Sequence, residues 1–168
     1  MINQTIVDAI NSQIAKEMYS SNLYLSMAAY FYSINLNGFA NWMKVQVQEE
    51  TFHAMKFFDY VVSRGGEVKI AQIAEPQAKW SSVIDVFKAT LEHEKAVTAS
   101  INNLADLSLK ENDHATSIML QWFITEQIEE EASVEDTLRR LEMMGDFKGG
   151  LIMIDNELKS RVFVPPSK

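Results

Sequence analysis

Seven glutamates, Glu17, Glu49, Glu50, Glu94, Glu126, Glu129 and Glu130, lie in stretches of helical periodicity with no Lys or Arg three or four positions away on either side. Exposed helix carboxylates ordinarily find such partners. Elsewhere this chain supplies them: Asp59 has Lys56, Glu92 has Lys88 and Lys95, and Asp136 has Arg139 and Arg140. Several of the unpartnered acids also fall on apolar stripes, where an uncompensated carboxylate is too costly to keep charged. A cation from outside the chain would account for both features. His53 follows Glu50 at i+3 and Glu130 follows Gln127 at i+3, so two helices each offer two donors one turn apart. Carboxylates, an imidazole and an amide, in a chain without cysteine, suit iron or manganese and match poorly the thiolate-rich structural sites of zinc. Two such ions sharing Glu50 as a bridge could each pass one electron to a dioxygen between them.

Four long helices and a short fifth are predicted to position these donors, over about 4–34, 39–64, 82–109, 113–144 and 146–161. The 35–38 turn, with Gly38 as its breaker, Gly65-Gly66 and the Glu111-Asn112-Asp113 cluster divide them. Glu17 shares a stripe with Ile6, Ile10, Ile14, Tyr24 and Phe31, and Glu50 shares one with Phe39, Met43, Val47, Ala54, Phe57 and Val61. Glu94 aligns with Phe87, Leu91, Val97 and Ile101, while Gln127 and Glu130 align with Leu120, Phe123, Val134, Leu138 and Leu141. Each long helix therefore sends a ligand type inward. The linker of about 65–81 is too long for a hairpin; extended, it reaches roughly 55 Å against a helix of roughly 40 Å, so it can run the length of a bundle. The fold class expected is all-α, a four-helix bundle with one long crossover, the arrangement of ferritin-like folds.

At 168 residues and 47% hydrophobic content, the chain is one domain by length and can build its core without staples. A net charge of −8 argues against nucleic-acid binding and favours cations. No basic stretch followed by an apolar one marks a secretory signal, and a cytoplasmic location is expected. The uncharged run from Met18 to Met43 is interrupted by Ser20, Ser21, Asn22, Asn35 and Asn37, which argues against a membrane span. It reads instead as a helix buried on two faces, one against the core and one against a partner subunit.

At Glu17 with Tyr24, Glu49-Glu50-Thr51-Phe52-His53, His93-Glu94, and Gln121-Trp122-Phe123 leading into Glu126-Gln127-Ile128-Glu129-Glu130, the chain resembles the non-haem bacterial ferritins over nearly its whole length. The resemblance implies a hollow shell of twenty-four identical subunits that takes up ferrous iron, oxidises it with dioxygen or peroxide at a dinuclear ferroxidase centre, and stores a ferric mineral. It implies that Glu17, Glu50 and His53 bind one iron and that Glu50, Glu94 and Glu130 bind the other, with Gln127 beside it. It implies a third site of Glu49, Glu126, Glu129 and Glu130 on the cavity side, with Tyr24 and Trp122 as auxiliary residues at the centre. The fifth helix would pack around the shell's four-fold axes.

Three departures refine the expectation. Symmetric di-iron bundles carry Glu-x-x-His on two helices, whereas here one of the two offers Gln127 and Glu130, which should weaken the second position and suit iron in transit. Bacterioferritins carry a haem-ligating Met where this chain has Thr51, so no haem is expected. Ser117 and Leu120 stand where animal ferritins carry the carboxylates of their three-fold channel, which points to a different route for iron. The competing function is a ferritin-like di-metal redox enzyme, a peroxidase or catalase, with permanently held metals; Gln127 argues against it. A shell subunit without a catalytic centre would be free to lose Glu17, Glu50, His53, Glu94 and Glu130. Tyr24 and Trp122 read equally well as core aromatics, the nine Met residues as flexible filler, and His93 and His114 receive no role.

Overall fold

The computed structural model describes residues 2–165, and among them every regular element is a helix: α1 (Gln4–Ser33), α2 (Asn37–Ser63), α3 (Val83–Lys110), α4 (His114–Met144) and α5 (Lys148–Leu158). Three of the long helices start on side-chain caps. Asn3, Ser82 and Asp113 accept from the backbone N–H of Thr5, Asp85 and Thr116, satisfying donors that the first turn leaves open. The turns end where the chain can enter the left-handed region, at Asn35 (φ 59°), Gly65 (φ 70°), Asn112 (φ 56°) and Gly145 (φ 57°).

The start of α2 differs from the expectation of a breaker at Gly38. The helix begins at Asn37, two residues before the predicted start, and Gly38 lies within its first turn. The backbone N–H groups of Gly38 and Phe39 donate to Asp155 Oδ1 at 2.7 and 3.1 Å, so the cap of α2 comes from α5. A Cβ on Gly38 would stand 1.6 Å from the Asp155 carbonyl oxygen. Glycine is required here for close approach of the two helices.

Helices α1 and α2 form one antiparallel hairpin and α3 and α4 the other. The segment 64–82 joins them by running along α1. Asn11 exchanges hydrogen bonds with Glu67 O and Lys69 N, Ser26 donates to Gln77 O, and Trp80 packs on Tyr30 with ring centroids 5.6 Å apart. These anchors climb α1 from near its start to near its end, which leaves α2 and α3 parallel.

The core is split. One apolar cluster gathers Tyr24, Met27, Phe31, Phe39, Met43, Phe87 and Val134. The other gathers Ile6, Ile10, Ile14, Phe57, Ile101, Leu120 and Phe123. On every long helix the residues between the two are polar: Glu17 on α1, Glu50 and His53 on α2, Glu94 on α3, Gln127 and Glu130 on α4, all buried. Each fully buried large apolar side chain stabilises by roughly 1.5–3 kcal/mol. The two clusters together can hold a polar layer that would not fold alone.

Candidate metal centre

Position on the helix decides which acids converge. Ligand atoms of Glu17, Glu50 and His53 lie within 4.8 Å of one another, and so do those of His53, Glu126 and Glu130. Thus His53 stands between two donor groups. The first is the expected set for one iron. The second shares only Glu130 with the set expected for the other iron, since it brings in His53 and Glu126 and leaves out Glu50 and Glu94. The Glu94 carboxylate is already engaged: Oε1 accepts from the Tyr24 hydroxyl, and Oε2 accepts from Gln127 Nε2 at 3.2 Å. Gln127 also donates to Thr98 Oγ1 at 3.2 Å.

The other acids are similarly held on one side. Gln13 Nε2 donates to Glu17 Oε1 at 2.8 Å, and Gln46 Nε2 donates to Glu130 Oε2 at 2.8 Å. The opposite oxygen of Glu17, Oε2, and Glu50 Oε2 are buried and accept no hydrogen bond. Buried carboxylate oxygens left open are costly. Together with the neutral imidazole of His53 they make the hard, mixed O/N donor set that ferrous and ferric iron take. Neither Gln13 nor Gln46 was singled out from sequence, though each occupies the stripe four residues before Glu17 or Glu50, and a buried amide at that spacing was the available sign.

Electrostatics reinforce this picture. Burial raises Glu17 from 4.5 to about 7, with Glu94 adding to the rise while Gln13 opposes it. Burial, then the charges of Glu94, Glu17 and Glu130, push Glu50 well above the ordinary carboxylate range. Burial and then Glu94 and Glu49 do the same to Glu130, and burial raises Glu94 against the hydrogen bonds of Tyr24 and Gln127. His53 is lowered from 6.5 to about 4 by burial and then by Lys56, so at neutral pH its imidazole is uncharged and able to ligate. Its Nδ1 stands 3.5 Å from Glu50 Oε2.

The surroundings of the pocket are aromatic. Trp122 lies edge-on to His53, with centroids 5.5 Å apart, and Lys56, spaced for Asp59, instead lies 4.4 Å over the Trp122 ring. Tyr24 meets His93 edge-on at 5.9 Å, and His93 Nε2 is 2.8 Å from Ser20 Oγ. Thr51 is exposed and its hydroxyl donates to Val47 O at 2.7 Å. Leu120 is fully buried in the core, so it cannot line a channel.

Of the acids expected on the cavity side, Glu126 is half-buried and raised by burial, then by Glu129 and Glu49, while Glu129 is exposed. Glu49 is not without a partner, as local spacing had suggested. Arg161 Nη2 donates to its Oε2 at 2.8 Å from a position 112 residues away. Burial nevertheless leaves the Glu49 carboxyl raised.

Residues 7–144 match the family of the ferritin-like domain. A bacterial non-heme ferritin of Bacteroides fragilis is 41% identical over 161 residues, covering 96% of this chain and all of that protein. One of Staphylococcus saprophyticus is 37% identical, covering 97% of this chain and 98% of its own. Among solved structures, an engineered closed form of the Archaeoglobus fulgidus ferritin superposes with a TM-score of 0.97 at 47% identity, covering 98% of this chain and 100% of that one. The open-pore ferritin of the same archaeon gives 0.95 at 48%, covering 96% and 100%.

Proposed function

The chain belongs to the ferritin-like domain family, and we propose that it stores iron, oxidising ferrous ions at the buried pocket and keeping the ferric product in a shell of twenty-four chains. The observation that carries this reading is the pair of open, buried oxygens, Glu17 Oε2 and Glu50 Oε2, facing the neutral imidazole of His53. Ferrous iron is the substrate. Glu17, Glu50 and His53 would bind one ion, and Glu50, Glu94 and Glu130 the other, with Gln127 holding Glu94 in place. Two ferrous ions give one electron each to dioxygen, which with two protons leaves as hydrogen peroxide; with peroxide as oxidant, the same two electrons and two protons yield two waters. Glu49, Glu126 and Glu129, with Glu130, would form a third site on the way to the cavity, and Tyr24 and Trp122 flank the centre.

A shell of many copies has support on the outside of the bundle. Leu25, Tyr32 and Ile34 on or next to α1, Met55 and Val62 on α2 and Ile70 in the crossover are exposed apolar groups in the isolated chain. Such groups suit subunit contacts. None of the described helices is long and apolar enough to cross a membrane.

Aerobic addition of ferrous iron to the metal-free protein tests the reading. The expected product is a soluble ferric core far exceeding two irons per chain, in a particle of about half a megadalton assembled from 19.1 kDa chains. Saturation at about two irons per chain, in a monomer or dimer, would instead establish a di-metal enzyme.

A further inference from the structure

The strand of chain after α5 lies back along α2 instead of leaving the bundle. Asn41 Nδ2 donates to the carbonyls of Leu158 and Arg161, each at 3.0 Å. The Arg161 guanidinium sits 4.5 Å over the Trp42 ring, and its Nη1 donates to Trp42 O at 3.3 Å. Beyond it, Phe163 packs on Phe52 with centroids 6.1 Å apart. Seated in this way, Arg161 reaches Glu49 through a charge-assisted bond with both groups mostly covered, 24% and 19% exposed. The guanidinium is thus held by a ring face, a carbonyl and a carboxylate at once, a setting far from a mobile surface pair. Its charge is also felt at Glu130.

The consequence falls on the acids beyond the two-iron pocket. With Glu49 turned to Arg161, the donors that converge there are His53, Glu126 and Glu130, and Glu49 is not among them. We propose that Arg161 is a tethered cation that holds Glu49 Oε2 away from the third site, so that a third metal gains the full Glu49 carboxylate as a ligand only by displacing the guanidinium. Arg161 then sets the affinity and selectivity of that site. Exchange of a single positive charge for a divalent ion is modestly favoured by Coulomb attraction, and exchange for a trivalent ion more so. The latch therefore biases the third position toward oxidised iron and against idle ferrous iron. This inference rests on the proposed reading of the buried pocket as a two-metal site with a third position beside it.

Anaerobic calorimetric titration of the full-length metal-free protein with Zn2+, which is redox-inert, separates the two claims. Wild type is compared with Arg161→Gln, Arg161→Lys, and the double variant Arg161→Gln/Glu49→Gln. The first two equivalents are expected to bind alike in all four. The third should bind at least tenfold more tightly in Arg161→Gln than in wild type, with Arg161→Lys between them, and the gain should vanish in the double variant. A third equivalent whose dissociation constant differs by less than twofold between wild type and Arg161→Gln overturns the proposal, as does a gain that survives loss of Glu49. Failure of the first two equivalents in wild type would count against the two-metal pocket itself.

Discussion

Replacing Glu17 by Gln should stabilise the metal-free protein, and by an amount that depends on pH in a calculable way. Burial raises the Glu17 carboxyl from 4.5 to about 7. Below 4.5 both folded and unfolded chains hold the proton, and the group contributes no pH dependence. Between 4.5 and about 7 the unfolded chain releases it while the folded chain keeps it, so stability falls as pH rises; above 7 both are ionised and the loss is complete. At about 1.4 kcal/mol per unit, that loss is about 3 kcal/mol per subunit. An amide cannot titrate and keeps the hydrogen bond from Gln13. The variant should therefore gain about 3 kcal/mol over wild type between about pH 4.5 and pH 8, which for a chain of this size is about 6–12 °C in midpoint. His53 and His93, each lowered to about 4 chiefly by burial, act with the opposite sign, adding stability as pH rises from 4 to 6.5. They are common to both proteins and cancel in the difference. Calorimetry of chelator-treated protein at one fixed scan rate, repeated across this pH range, gives the measurement. A midpoint difference that is the same at every pH would refute the argument, because it would mean that Glu17 is not held protonated by its surroundings.

Three further variants bear on activity and on assembly of the fold. Glu50→Ala and His53→Ala should each leave the native particle size intact yet slow the initial rate of aerobic iron oxidation at least tenfold, a loss of about 1.4 kcal/mol in transition-state stabilisation; an unchanged initial rate removes that residue from the mechanism. Gly38→Ala places a methyl group 1.6 Å from the Asp155 carbonyl oxygen, so α5 must shift and α2 loses its cap, at an expected cost of about 2 kcal/mol or more. Thermal denaturation checks it, and a midpoint within about 1 °C of wild type would show that the two helices are not held in that contact.

How far the site was legible follows from the range over which each signal acts. Glu17, Glu50, Glu94 and Glu130 could be placed inward because a 3.6-residue stripe is a local property, and burial of all four agrees with it. The crossover was legible from length alone. Gln13 and Gln46 stand out less in the sequence because a glutamine on a stripe carries no charge to look anomalous, and which carboxylate each serves depends on packing between helices: Gln13 turns to its own neighbour Glu17, whereas Gln46 crosses to Glu130 on α4. The apparent isolation of Glu49 had the same origin. A rule that inspects three or four positions cannot find a guanidinium 112 residues away, brought there by the Asn41 and Asp155 contacts that fold the chain end back onto α2. Glycine usually breaks a helix, so the sequence alone predicts a break at Gly38; its real constraint is a neighbour from the far end of the chain.

The charge balance of the pocket gives the direction in which iron would move. Glu17, Glu50, Glu94 and Glu130 are the buried carboxylates of the polar layer, and His53 is neutral. In the metal-free state protons held by the raised acids limit the repulsion among them. Two ferrous ions bound as proposed would displace those protons and match the four negative charges, so a ferrous pair would sit in the pocket without excess charge. Oxidation of such a pair would leave two uncompensated positive charges in a buried site, which is unfavourable unless water gives up protons or the ions depart. Two of the amides in the pocket, Gln13 and Gln127, hold carboxylates but add no negative charge that would retain the product. Further anions beside these groups are Glu126, Glu49 and Glu131, and Glu49 is held by Arg161. A trivalent ion competes with that guanidinium better than a divalent one does, so oxidation itself would supply the drive that opens the third position.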